Sequence, residues 1–159
     1  MPKKTHYLRN GLVAIVALLV IIQLVPYGRS HANPPVVQEP AWNSPDTRAL
    51  AQRACFDCHS NETVWPWYAN VAPMSWLVQH DVDEGRSKMN FSEWGVARSA
   101  ESAGEDERES ENPTEEIPEV VREGEMPPLQ YLLIHTNAHL SDTEKDQLIS
   151  GLQTSLAQR

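Results

Sequence analysis

One apolar run, Gly11-Leu-Val-Ala-Ile-Val-Ala-Leu-Leu-Val-Ile-Ile-Gln-Leu-Val25, most constrains what this chain can fold into, because what surrounds it is polar. The mean hydropathy of the 159 residues is -0.48 although 40% of them are hydrophobic. Lys3, Lys4 and Arg9 precede the run and Arg29 follows it. As a helix, Leu8 to Tyr27 would cover roughly 30 Å, about the hydrocarbon thickness of a bilayer. The excess of bases before the run places the amino terminus in the cytoplasm and everything after it outside. The expectation is an inner (cytoplasmic) membrane protein with a cytoplasmic stretch at 1–10, a transmembrane anchor or signal h-region at 11–27, a proline-rich tether at 28–43 and a periplasmic or extracytoplasmic domain at 44–157. Ser30-His31-Ala32 offers a small-x-small cleavage pattern, so a cleaved signal is the alternative and a buried core helix a third.

Charge divides the chain in the same way. Residues 1–32 hold four bases and no acid, which leaves 9 bases against 22 acids, a net -13, for residues 33–159. Such a balance argues against nucleic-acid binding. Glu101 to Glu119 alone contributes nine acids against Arg108, with no aromatic, and reads as a solvated acidic loop or a docking surface for a basic partner.

The domain reads as helical. Ser44-Pro45-Asp46-Thr47 is a helix start, with a serine cap and proline in the first turn, and the helix should run to about Cys55. Ser141-Asp142-Thr143-Glu144 is a capping box, followed by Leu148, Ile149, Leu152 and Leu156 on one face. Pro73 opens a third helix that Gly85 should end, and a fourth covers roughly Ile117 to Glu123, with Pro118 awkward beyond its first turn. No internal repeat and no alternating strand pattern is present.

The chemistry concentrates in Cys55-Phe-Asp-Cys58-His59. Cys-x-x-Cys-His is the attachment signature of c-type haem: two thiols two residues apart face one edge of a porphyrin and add across its vinyl groups, and the next histidine becomes the proximal iron ligand. One motif implies one covalent haem c. A thioredoxin-like dithiol would need a strand and sheet that the sequence lacks. Zinc would need two further ligands from His80, His135 and His139, and a Cys55–Cys58 disulfide would close too short a loop to stabilise much. For the sixth ligand Met126 is the leading candidate, because Pro127 holds it extended on a stiff loop and a thioether raises the haem potential relative to a second histidine. Met74 and Met89 read as core filler.

Aromatics cluster after the motif: Trp65, Trp67, Tyr68 and Trp76, then Phe91 and Trp94. Their spacing follows neither helix nor strand, which suits walls around a flat cofactor and overlaps with ordinary core packing. Arg86 is the candidate donor to a haem propionate.

With those residues in view, Cys55 to Tyr68, Ala72-Pro-Met-Ser-Trp76, Asp81-Val-Asp-Glu-Gly-Arg86, Asn90-Phe-Ser-Glu-Trp94 and Gly124-Glu-Met-Pro-Pro128 together resemble the bacterial haem-binding-domain family of small membrane-anchored, cytochrome c-like proteins. The resemblance covers about residues 34–155. It implies an all-α, cytochrome c-like domain around one covalent haem, attached through Cys55 and Cys58 with His59 proximal, preceded by a single N-terminal transmembrane helix. The expected role is a membrane-anchored monohaem carrier of single electrons, rather than a catalyst, that docks on a basic surface of a redox partner. A haem peroxidase or gas or redox sensor with an open sixth position is the alternative, and a haem-free zinc module a third class.

Overall fold

The structure is a computed structural model that describes residues 3–95 and 113–157. In chain order the described helices are α1 (Lys3–Ile22), α2 (Pro45–Ala54), α3 (Phe56–His59), α4 (Met74–Lys88), α5 (Pro113–Glu123), α6 (Leu129–Leu132) and α7 (Asp142–Leu156). Single 3-10 turns cover Trp67–Asn70 and Thr136–Ala138. Among the described residues the extended backbone forms only one isolated parallel bridge, between Gln38 and Glu93. The helical expectation therefore holds.

The chain divides into two compact units, one of residues 1–32 with 65–81 and the other of 33–64 with 82–159. In the first unit the transmembrane expectation fails, and with it the inner-membrane anchor. Among the described residues no helix is long and apolar enough to cross a membrane. Helix α1 starts among the basic residues and stops at Ile22, so its apolar part begins at Gly11 and covers about 18 Å, well short of the roughly 30 Å of hydrocarbon. Three i to i-3 bonds, Gln23 N to Val20 O, Leu24 N to Ile21 O and Val25 N to Ile22 O, wind the run out before Pro26. Gln23 then turns back onto its own unit: its side-chain amide donates to the Ala72 carbonyl at 2.9 Å and accepts from the Ala72 N–H at 2.9 Å. An amide committed in this way ends the helix where the sequence suggested that it continues.

The second unit holds its own apolar core. Leu50 and Ala51 of α2, Ile117 and Val121 of α5, and Leu148, Ile149, Leu152 and Leu156 of α7 are buried together with Phe56, Phe91 and Trp94. Both caps appear as expected: Ser44 Oγ accepts from Thr47 N, and Ser141 and Glu144 form a reciprocal capping box. Residues 33–44 are extended, as their prolines dictate, and lie along the 92–94 segment, where Val37 N and Gln38 N donate to Ser92 O and Trp94 N donates to Gln38 O. Helix α5 begins earlier than Pro118 suggests, since Pro113 opens it and Pro118 sits inside, where its missing N–H removes one ladder bond. The acidic stretch thus enters a helix from residue 113, and its remainder at 101–112 lies outside the described residues.

Candidate functional site: the Cys55–His59 turn and the Met126 loop

The Cys-x-x-Cys-His motif occupies a break between two helices. Cys55 caps the C-terminus of α2 with its N–H still bonded to Ala51 O, but its backbone (φ -125°, ψ -32°) departs from helical values, and a single turn follows in which Cys58 N and His59 N both donate to Cys55 O. Ser60 ends that turn in extended conformation and returns its hydroxyl to Phe56 O at 2.7 Å. Neither cysteine is in a disulfide, and Cys55, Cys58 and His59 are each half-buried.

The segment from Met89 to Phe91 fixes His59. Its Nδ1 lies 3.1 Å from the Met89 carbonyl. A carbonyl only accepts, so Nδ1 carries the proton, and in the neutral ring Nε2 keeps the lone pair, as a metal-ligating imidazole requires. The His59 carbonyl in turn accepts from Phe91 N at 2.8 Å. Burial lowers the imidazole pKa, which favours the neutral ring that ligates, although the Met89 and Gly85 carbonyls pull in the other direction.

Gly85, which the sequence suggested as a helix stop, lies inside α4 and does a different job. A Cβ there would stand 2.5 Å from the Cys58 carbonyl oxygen and 3.0 Å from Cys58 Cβ, so only glycine lets α4 approach the motif this closely. Next to it, Arg86 donates to Ser60 O at 2.8 Å and to Asn33 Oδ1 and Thr63 Oγ1 at 3.0 Å. Its Nε and Nη2 brace the turn after the motif.

The thiol electrostatics separate the readings of the motif. Burial, with Cys58 adding to it, pushes the Cys55 thiol up to about 12. A dithiol redox motif works through a depressed pKa, so Cys55 is the opposite of a thioredoxin-type nucleophile. Among the described residues no three His, Cys, Asp or Glu side chains are grouped to hold a metal ion, which leaves the zinc reading without a ligand set.

Two residues that the sequence did not single out as site residues join this region. Asp57, between the cysteines, accepts from Val64 N at 2.9 Å through Oδ1, and its Oδ2 accepts from the Tyr131 hydroxyl at 2.7 Å. Tyr131 belongs to α6, five residues beyond Met126. Its ring stacks on His135 with centroids 4.0 Å apart and planes at 14°. Met126 itself is 37% exposed on the loop that follows α5. That loop is fixed at its root, because Gly124 takes φ 77° and the next two N–H groups, of Glu125 and Met126, return to Val120 O.

The aromatics have separate fates. Phe91 is fully buried in the core and stacks on Phe56 at 5.5 Å. In the other unit, Trp65 stacks on His31 at 4.7 Å, and Trp67, 79% exposed, meets Tyr68 edge-on. Trp76 buries its indole N–H, which among the described residues has no hydrogen-bond partner.

These features fit a haem group: two cysteines at the required spacing and outside any disulfide, a histidine held in the ligating tautomer, and a glycine that lets α4 pack against them. Comparison with known proteins agrees. The haem-binding domain family matches residues 17–154, and the chain belongs to that family. It is a haem-binding protein. No curated protein and no solved structure matches the chain.

Proposed function

We propose that the chain is a monohaem c-type cytochrome that carries single electrons, with one haem joined covalently through Cys55 and Cys58, His59 as proximal ligand and Met126 as the second axial ligand. The observation that carries the reading is the Nδ1 contact of His59 with the Met89 carbonyl, which leaves the Nε2 lone pair for a metal beside two cysteines that form no disulfide. Bound haem iron supplies the one-electron exchange between ferrous and ferric states. The chain's own work is to hold the imidazole in one tautomer and orientation, keep the Cys55 thiol protonated, and bring a soft thioether from the stiff Met126-Pro127-Pro128 loop. The net -13 of residues 33–159 supports docking on a basic partner surface.

The exposure of Met126 favours a second reading, in which the sixth position is open or labile and the protein binds peroxide or a gas. One experiment separates the two. The chain is expressed with a haem c maturation system, stained for haem after denaturation, and its absorption recorded in ferric and dithionite-reduced forms. Electron transfer predicts covalent haem and a low-spin spectrum that Met126→Ala converts to high spin with attachment intact. A wild-type spectrum already high-spin and shifting with peroxide or carbon monoxide supports the second reading, and loss of haem on denaturation removes the covalent one. Electron transfer to a basic partner should slow steeply as ionic strength rises; a salt-independent rate removes the docking part.

A further inference from the structure

We infer that Tyr131 is a positioning residue for the sixth haem ligand: its hydroxyl, bonded to Asp57 between the two attachment cysteines, latches the Met126 loop to the turn that holds the haem. The inference rests on the reading of Met126 as axial ligand and adds what controls it. The bond is short, 2.7 Å, and joins residues 74 apart in sequence, so it ties two segments that nothing local would hold in register. Little slack separates Tyr131 from Met126. Pro127 and Pro128 stiffen the chain, and Tyr131 N donates back to Pro128 O at 3.0 Å, so the prolines lead directly into the hydrogen-bonded turn that carries the tyrosine. Beyond it, His135 N donates to Tyr131 O at 2.9 Å and the His135 ring covers one face of the tyrosine, fixing the direction in which the hydroxyl points. At its other end Asp57 is itself immobilised, since Val64 N holds Oδ1 and Thr63 Oγ1 donates to its backbone carbonyl at 2.7 Å. A rigid acceptor beside the cysteines and a rigid donor beside the methionine set the position of Met126 relative to the attachment turn. Exposed as it is, Met126 has little packing of its own to perform that task.

Imidazole, which competes for the sixth position of ferric haem, reads the latch directly. It is titrated into haem-loaded wild type, Tyr131→Phe, Asp57→Asn, the double variant and Met126→Ala, each first checked for covalent haem and for helix content by circular dichroism. Tyr131→Phe keeps the ring and its stack on His135 and removes only the hydroxyl, so imidazole affinity should rise about tenfold, the worth of one charge-assisted hydrogen bond. Asp57→Asn keeps an oxygen for Val64 N and should raise affinity in the same direction by a smaller factor, while the double variant should bind no tighter than Tyr131→Phe, because both changes break one bond. Wild-type affinity in either single variant, or effects that add in the double, overturns the latch. Met126→Ala should bind most tightly of all. Where Met126→Ala matches wild type, the axial assignment fails and the latch with it; where Met126→Ala binds tightly and Tyr131→Phe does not, the latch alone fails. Asp57→Asn carries the same comparison should Tyr131→Phe not fold.

Discussion

The Cys55–His59 turn and the Met126 loop bracket the proposed haem site and are held in very different ways. Around the turn the imidazole itself is fixed by backbone groups and close approach: Met89 O orients the ring, Phe91 N holds the His59 carbonyl, and Gly85 admits α4 against Cys58. The loop has one helix stop at Gly124 and one long-range side-chain bond, Tyr131 to Asp57. Backbone fixings survive most substitutions, whereas a single hydroxyl does not. With the proposed ligand set, the proximal side would stay constant and the distal side would be adjustable, so substitutions on the two sides should fail in different ways.

The largest effect should come from Gly85→Ala. The added methyl would stand 2.5 Å from a backbone oxygen, which has no flexible end to move aside, so α4 must back away from the motif. Overpacking of this kind costs about 1–3 kcal/mol. Here the cost falls on Cys58, a proposed attachment cysteine, so the fraction of protein with covalent haem should drop steeply, measured as haem stain per milligram after maturation. Wild-type loading in Gly85→Ala would remove the rigid proximal side from the comparison.

Gly124→Ala is the matching test on the distal side and should do less. Nothing lies within 4 Å of a Cβ at Gly124, so the substitution introduces no clash, only the strain of a side chain at φ 77°. That strain costs about 1 kcal/mol, read as a lower urea midpoint at unchanged slope. Haem should remain covalent while imidazole affinity rises. A loss of covalent haem as large as in Gly85→Ala would erase the distinction between the sides.

What was legible in the sequence follows the same division between local and distant causes. The Ser44 cap and the Ser141–Glu144 box act within a few residues of themselves, and each sits where its pattern places it. The end of α1 was less visible: Gln23 was the one polar residue in the apolar run, and only the Ala72 backbone explains why the helix yields there. Gly85 misled because glycine serves equally as a helix stop and as a close-contact residue, and the deciding atom is the Cys58 carbonyl, 27 positions earlier in the chain. Tyr131 and the Met89 carbonyl left no signal at all, since a tyrosine hydroxyl and a backbone oxygen gain their roles only from partners that folding delivers. Arg86 was noticed for its charge, yet its geometry serves Ser60, Asn33 and Thr63.

The smallest effect, and a control for both sides, should come from Glu144→Gln on α7. Glu144 receives the Ser141 backbone N–H at 2.8 Å and the Arg53 guanidinium at 2.6 Å, joining α2 to α7 without touching either haem-side segment. These donors, the Ser141 N–H foremost, hold its carboxyl down at about 2 against an ordinary 4.5. A carboxyl depressed in the folded state stabilises the fold above its unfolded pKa and loses that contribution as pH falls through the folded value. Wild type should therefore melt slightly above Glu144→Gln at neutral pH, the gap should narrow between pH 4.5 and about 2, and it should vanish below that. The pair is solvent-exposed and so contributes little, and the gap should shrink with added salt. The haem spectrum and imidazole affinity at neutral pH should match wild type. A change in either would mean that α2, which leads directly into Cys55, transmits strain to the site, and the adjustable side would then extend beyond the Met126 loop.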